Sequence, residues 1–557
     1  MPTIGVSKRD LLELVGKRSL SDEELAEALE MVKAEVKALG PDEITLEVTA
    51  DRADMFSVEG IARSLKGFLE VELGAPKYPV REVEEGFVVE VDKSVRGVRP
   101  FVACAAVLGC PLGEEGLRQL IQLQEVLHRT HGRNRKKFAI GLHNFDVVRT
   151  PIVYTAKRFE EFKFTPLEGD REMNGKEIIE RHPKGMEYGW IIKDKGLAPL
   201  LIDANGNILS MPPIINSEYT KVSTRTRNLF IDVTGTDLKA VEDALAILVA
   251  NLAERGGQIV RFEVREGQSS RRVEPKTEHR LMTVSYNRLI EVTGIEVSLD
   301  EVVRCLMKSR LDAIVRGEHL DVAVPFYRVD VMDDVDVAED FAIGYGYNRI
   351  IPDVPSVTTR GRELELVSFS RLCRELMIGY GFQEVLNYMF TSDKKLDDAC
   401  VYEKRVRVAK PVSSDYTCLR TSLIPPLLDF LSENTHMEYP QKIFEIGDVV
   451  IVDETFDERS LHDKRMAALH ADYKAGYEDV QAVLYSFLRI LNVKFVVKRD
   501  SKNMMIEGRC ASVLVNGEVV GLIGEIRPEV LLRFGLQTPV AAFEISLSKL
   551  YRAWRTG

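Results

Sequence analysis

Residues 327–350 read YRVDVMDDVDVAEDFAIGYGYNRI. Asp336, Glu339 and Asp340 stand at i, i+3 and i+4, a spacing that brings their carboxylates onto one face of a helix, with Asp330 just upstream. Three like charges so placed repel unless a cation offsets them. A donor set of carboxylate oxygens without Cys or His suits a hard divalent ion, Mg²⁺ above all. The acids also have a plainer use, because acidic residues in a first turn complement the helix dipole. Val337, Ala338, Phe341, Ala342 and Tyr345 form an apolar face that needs only a core behind it. Both readings predict a helix here.

Upstream, SYNRLIEVTG and LDEVVRCLMKSR read as short helices and HLDVAVPFYRVDV as a strand leading into the acidic helix. Residues 269–350 are therefore expected to form a winged-helix-like unit. At the N-terminus, Ser21-Asp-Glu-Glu opens a charged amphipathic helix to about residue 38, and residues 44–50 alternate with period two, as a strand does. Residues 1–85 read as an α/β domain, closed by the polar stretch around Pro79. From residue 86 to 268 strands dominate, among them FVVEV and FVACAAVLG, and Asn205-Gly206 is a hairpin signal. Pro352, Pro355 and the TTRGRE turn precede a last section, 356–557, whose β-rich runs and a helix at 477–491 suit an antiparallel sheet flanked by helices. The fold class is multidomain α+β, as 557 residues exceed what one core usually supports.

Composition narrows the function. With 45% hydrophobic and 29% charged residues and no apolar run near the ~20 residues that span a bilayer, a membrane partner is not expected. The first residues lack a secretory signal, so a cytoplasmic location is expected. Seven scattered cysteines without a CxxC pair read as reduced and structural. A net charge of −12 excludes nonspecific coating of nucleic acid but permits local basic patches. One such run, HRTHGRNRKK at 128–137, ends a predicted helix and offers Arg133, Arg135, Lys136 and Lys137 to nucleic-acid phosphates, although cations at a helix C-terminus serve the dipole equally well.

Together RVDV, DDVDV, AED and AIGYGYN resemble the magnesium-binding domain of phenylalanyl-tRNA synthetase β subunits of the archaeal/eukaryotic type. That resemblance implies a Mg²⁺ site made by Asp330, Asp336, Glu339 and Asp340. It extends in the family's order through DRADMFSVEGIARSLKGFL, KKFAIGLHNFD, INSEYTKVSTRTRNLFIDVTGTD, VAKPVSSDYTCLRTSLIPPLLDFLSENTHMEYPQKIFEIGDVV and GLIGEIRPEVLLRFGLQTPVAAFEI. It implies an editing-like domain at 86–268 and a noncatalytic class II synthetase-like domain at 356–557. The class II ATP motif needs an Arg and a Glu two residues later, whereas 419–422 reads LRTS; 521–528, GLIGEIRP, departs from the last ATP motif. No Walker-type GxxxxGK[ST] occurs either.

The resemblance therefore implies the β subunit of a ligase that joins L-phenylalanine to tRNA(Phe). ATP is a substrate of the complex, and aminoacylation belongs to an α-subunit partner in an (αβ)₂ tetramer. A pocket for phenylalanine rejects tyrosine's extra hydroxyl only about a hundredfold, so mischarged product must be hydrolysed at a second site. His143 and Asn144, after a strand, and Glu218, after Pro212-Pro213, are the candidates for that pocket, projecting into a cleft. Two other functions compete: a freestanding deacylase of mischarged tRNA, needing only 86–268, and an RNA-binding assembly protein.

Overall fold

The computed structural model describes residues 1–17, 20–84, 86–267 and 270–556. The predicted boundaries at Glu85 and Gln268, and the C-terminal Gly557, lie outside the described residues. The chain divides into two compact units, Met1–Val354 and Pro355–Gly557.

The first unit begins with an antiparallel sheet in the order Thr3–Ser7, Glu43–Val48, Ala34–Leu39. Ser21 caps the following helix and forms a capping box with Glu24, as its sequence predicts, but the helix is Asp22–Met31 and does not reach residue 38. Lys33 takes a left-handed φ of 70°, which reverses the chain, and 34–39 pairs as a strand. Leu46, Phe56, Ile61 and Leu65 share one continuous core with Leu120, Leu127, Phe138, Val241 and Leu248, so burial runs across the chain's polar stretch near Pro79.

Among the described residues the largest sheet has eleven strands. Its main path runs Ile215–Asn216, Ile208–Met211, Ala198–Ile202, Ile152–Lys157, Val88–Val91, Gln258–Glu266, Phe101–Leu108, Leu229–Gly235, Phe138–Asn144. The Asn205-Gly206 signal does join an antiparallel pair, 198–202 with 208–211, and Gly206 has the positive φ of 83° that the turn requires. The two ends of the path come together: Asn216 Nδ2 donates to the Leu142 carbonyl at 3.1 Å.

The strands Arg280–Ser285, His319–Val324 and Asp312–Arg316 make a three-stranded antiparallel sheet. Against it lie the helices Tyr286–Thr293, Leu299–Lys308 and Asp334–Tyr345, around Leu289, Leu306, Val337 and Phe341. Gly344 of the acidic helix passes so close to its neighbour that a Cβ there would stand 2.0 Å from the Cys305 carbonyl oxygen.

In the second unit seven strands form one sheet, in the order Gln383–Glu384, Gln441–Val452, Ser460–Ala471, Val540–Ser546, Glu518–Ile526, Met505–Val515, Phe495–Arg499. All its pairs are antiparallel except the first, which is parallel. Tyr477–Ile490 packs Leu484 and Phe487 on one face, and Ile424–Glu433 packs Leu427 and Leu428 on the other. The molecule is thus mixed α+β and multidomain.

Candidate functional site

The acidic helix is bounded by its own carboxylates. Asp333 is the N-cap, and Asp336 turns back to accept from the N–H groups of Met332 and Asp333 at 2.6 and 2.9 Å. Asp340 turns inward instead, and with Asp330 it shares the buried Arg328 guanidinium, each at 2.7 Å. Glu339 pairs with Lys33 at 2.8 Å. The i, i+3, i+4 spacing thus sends the three helix carboxylates to three different partners rather than to one point. Among the described residues no group of three or more His, Cys, Asp or Glu is placed to hold a metal.

Behind Asp330 a buried network continues through Arg52, Asp54 and Arg63, with Asp54 at 2.9 Å from Arg52 and 3.2 Å from Arg63. Three guanidiniums meet three carboxylates, so the network is internally neutral. Burial alone would raise the Asp54 carboxyl; Arg52 and Arg63 override it and hold it well below the usual range. Burial wins at Asp340, whose carboxyl is raised despite Arg328. The donor chemistry suits Mg²⁺, whereas in this arrangement Arg328 and Lys33 hold Asp330, Asp340 and Glu339, and backbone N–H groups hold Asp336.

A second site lies where the ends of the large sheet meet. A cavity of about 420 Å³ is lined by Glu125, Arg135, Gly141, Ser210, Asn216 and Asp232, among others. Glu125 comes from the helix Gly113–Arg129. That helix stops at Arg129, two residues into the basic run, and Arg133, Asn134 and Arg135 then all take left-handed φ values of 50–63°. The resulting turn buries Arg135, which donates from Nη1 to the carbonyls of Pro213 and Ile214 and from Nη2 to Glu125 at 2.9 Å. Its guanidinium stacks 4.2 Å from the Tyr188 ring.

Beside it, His128 is buried and accepts the Ile140 N–H on Nε2 at 2.8 Å, which leaves its proton on Nδ1, 3.5 Å from Glu125. Burial pushes the His128 pKa down to about 4. Burial alone would raise Glu125, but His128 and Arg135 bring it to about 2. Ser210, 1% exposed, has a hydroxyl without a hydrogen-bond partner. Asp232 lies in Leu229–Gly235, a strand buried at every position.

The sequence-predicted pocket residues fall elsewhere. His143 is fully buried behind Asp232, held between Asp232 Oδ2 at 2.8 Å and Thr220 Oγ1 at 2.7 Å, and does not line the cavity. Asn144 closes a turn by accepting the Asp146 N–H. Glu218 accepts the Glu168 N–H at 2.8 Å and pairs with Lys221 at 2.9 Å, outside the lining. Of the basic run, Arg135 is a wall of the cavity and unavailable to phosphate, Lys137 pairs with Asp237 at 3.1 Å, and Arg133 and Lys136 are exposed. Sequence reasoning missed Glu125, Ser210, Asn216 and Asp232. A carboxylate inside the otherwise apolar LFIDV was the available signal.

The model for the phenylalanyl tRNA synthetase beta chain CLM domain matches residues 350–547, and that for the tRNA synthetase B5 domain matches 282–347. The phenylalanine–tRNA ligase beta subunit of Korarchaeum cryptofilum is 44% identical over 552 residues, 98% of each chain. That of Pyrococcus furiosus is 40% identical over 561 residues, covering 99% of this chain and all of its own. The chain belongs to the phenylalanine–tRNA ligase beta subunit family. A solved N-terminal fragment of the phenylalanyl-tRNA synthetase β subunit from Pyrococcus horikoshii superposes with a TM-score of 0.59 at 39% identity, covering 62% of this chain and 99% of the fragment.

The second unit of this β subunit has a centre filled by its own charges. Arg420 is buried against Glu445 at 2.6 Å and the Asp448 carbonyl at 3.0 Å. Arg465 bridges Asp463 and Glu544, both at 2.8 Å. Arg527 donates to the Met505 carbonyl at 2.7 Å. Arg420 is thus committed to groups of its own unit, whereas Arg527 is half-buried and uses only Nε.

Proposed function

We propose that this chain is the noncatalytic β subunit of a phenylalanine–tRNA ligase that uses ATP to join L-phenylalanine to tRNA(Phe), with AMP and diphosphate as products. Its partner is a catalytic α subunit, in an (αβ)₂ tetramer working in the cytoplasm. The full-length similarity to phenylalanine–tRNA ligase beta subunits and the self-paired Arg420 and Arg465 support this reading. Among the described residues no helix is long and apolar enough to cross a membrane.

We further propose that the cavity hydrolyses mischarged Tyr-tRNA(Phe). The observation that carries this is a 420 Å³ cavity holding an ionisable carboxylate, Asp232, and a buried hydroxyl, Ser210, that lacks a partner. A buried hydroxyl left unpaired is costly unless a ligand completes it, and tyrosine's phenolic OH would do so. Glu125 has its charge taken up by Arg135, whereas no arginine or lysine is hydrogen-bonded to Asp232. Asp232 is therefore the group able to take a proton from water as that water attacks the ester carbonyl. The proton then passes to the departing ribose oxygen, giving tyrosine and free tRNA.

In the complex with α, Asp232→Asn should lower Tyr-tRNA(Phe) hydrolysis at least about a hundredfold and leave phenylalanylation intact. Hydrolysis at the wild-type rate would remove the cavity from this role. Glu218→Ala should leave hydrolysis unchanged.

Arg133, Lys136 and Lys137 remain the proposed tRNA phosphate contacts, their exposure or half-exposure supporting this. Mg²⁺ is proposed for Asp330, Asp336, Glu339 and Asp340, on the strength of the all-carboxylate donor set and the B5 match, as an ion that holds this part of the unit together.

A further inference from the structure

Asp232 does not stand alone. Its Oδ2 lies 2.8 Å from His143 Nε2, and His143 Nδ1 lies 2.7 Å from Thr220 Oγ1. All three side chains are at most 1% exposed. An ionised carboxylate only accepts, so Nε2 carries a proton and donates it to Oδ2. Thr220 has two acceptors in reach, Nδ1 at 2.7 Å and the Ser217 carbonyl at 3.5 Å. In the shorter contact the Thr220 hydroxyl is placed to donate to Nδ1 while Nε2–H faces the carboxylate. Donors thus run in one direction, from Thr220 through His143 to the carboxylate in the cavity wall.

The strand pairing makes room for this arrangement. Asp232 faces Gly141 across the strand pair, and His143 faces Phe230. A Cβ on Gly141 would stand 1.9 Å from Asp232 Oδ2 and 2.8 Å from His143 Nε2, so only glycine lets the carboxylate lie across the neighbouring strand against the ring. Asp232 Oδ1 makes no hydrogen bond within the described residues, and the residue lines the cavity. Two buried polar groups in a strand pair rich in Phe, Ile and Val, with a third on the turn Glu218–Thr220 against them, are costly if their only use is packing.

We propose that His143 and Thr220 are positioning residues: they hold the Asp232 carboxylate oriented, with Oδ2 fixed and Oδ1 turned to the attacking water. This rests on reading the cavity as a deacylation site. Oδ1 takes one proton from water as the water oxygen bonds to the ester carbonyl carbon. The proton moves to the ribose oxygen when the ester C–O bond breaks, so the relay is unchanged over a turnover and nothing else is consumed. Other titratable or charged groups around Asp232 are Arg99, Cys104 and Tyr154 on neighbouring elements and, in the cavity lining, the Glu125–Arg135 pair, Glu168, His182, Lys184 and Lys221. His143 alone donates to the carboxylate through a side chain.

The test measures hydrolysis of Tyr-tRNA(Phe) by the complex with α, as kcat, KM and a pH profile, with phenylalanylation reporting folding. His143→Phe should lower kcat at least about tenfold, keep KM within about twofold, and move the acid limb of the profile to higher pH, because a carboxylate that loses a donor is harder to ionise. His143→Gln, whose amide N–H can replace Nε2–H, should recover kcat to within about threefold of wild type and return the acid limb to its place. Thr220→Val should fall between the two. Wild-type kcat and an unmoved acid limb in His143→Phe, with Asp232→Asn silent, would overturn the positioning role and spare the site. Hydrolysis surviving in Asp232→Asn would overturn the site itself. If His143→Phe loses phenylalanylation as well, the other two variants decide: a silent His143→Gln beside a fully active Thr220→Val contradicts the relay, and the reverse order supports it.

Discussion

His128 shows how one buried side chain ties the cavity to pH. The folded protein binds its proton near pH 4, the unfolded chain near 6.5, so the unfolded state binds more protons between those values. Its contribution is complete above about pH 6.5 and is lost as the pH falls toward 4, on the order of 3 kcal/mol in all. Trp190 lies in the first unit and Trp554 in the second. Urea unfolding followed by Trp190 in a Trp554→Phe background should show stability falling over that window. His128→Gln, which keeps an acceptor for the Ile140 N–H but does not titrate, should flatten the fall.

At this scale the sequence was partly legible. It marked His143 and the 128–137 run as important, and both lie around the cavity, but it aimed their side chains wrongly. Nothing local in HRTHGRNRKK signals three successive left-handed residues, and these turn Arg135 inward toward Glu125. Asp232 was readable only as an oddity in an apolar strand, because its meaning comes from Gly141 and His143 on the neighbouring strand.

Among the elements, the acidic helix is the clearest case of a pattern read correctly in period and differently in use. Its apolar face, Val337, Ala338, Phe341 and Ala342, is buried as the spacing requires. Its acids serve three purposes: Asp336 caps, Glu339 meets Lys33, and Asp340 meets Arg328. Gly344→Ala should press a methyl into the Cys305 carbonyl and cost about 1–3 kcal/mol, read as a lowered denaturation midpoint together with faster amide exchange in 280–345. Arg328→Met removes the partner shared by Asp330 and Asp340, and buried carboxylates so abandoned cost about 3–5 kcal/mol. Added Mg²⁺ should recover part of that loss and EDTA should abolish the recovery. A midpoint indifferent to Mg²⁺ in both the variant and the wild type would count against an ion at these four residues.

The helix that was expected to reach residue 38 teaches the complementary lesson. Its start was legible because the Ser21–Glu24 box is local chemistry. Its end depends on pairing: 34–39 becomes a strand because Glu43–Val48 offers it a ladder. The Asn205-Gly206 hairpin was legible for the same local reason as the cap, since Gly206 alone supplies the positive φ.

Over the whole molecule, the chain belongs to a synthetase family, and our proposal places amino-acid activation in its partner. Its C-terminal sheet directs Arg420 to Glu445 and Arg465 to Asp463 and Glu544, so both charges are neutralised within the unit. The cavity in the first unit leaves the Ser210 hydroxyl without a partner and Asp232 with a bond from His143 through Oδ2 only. One part is closed by its own side chains and the other is open to a ligand, the contrast that supports our proposal of activation by a partner and hydrolysis by this chain. The most direct test is phenylalanine-dependent exchange of pyrophosphate into ATP by the purified chain, alone and with a catalytic α subunit. No exchange alone and full exchange with α is the expected result; robust exchange by the chain alone would contradict it.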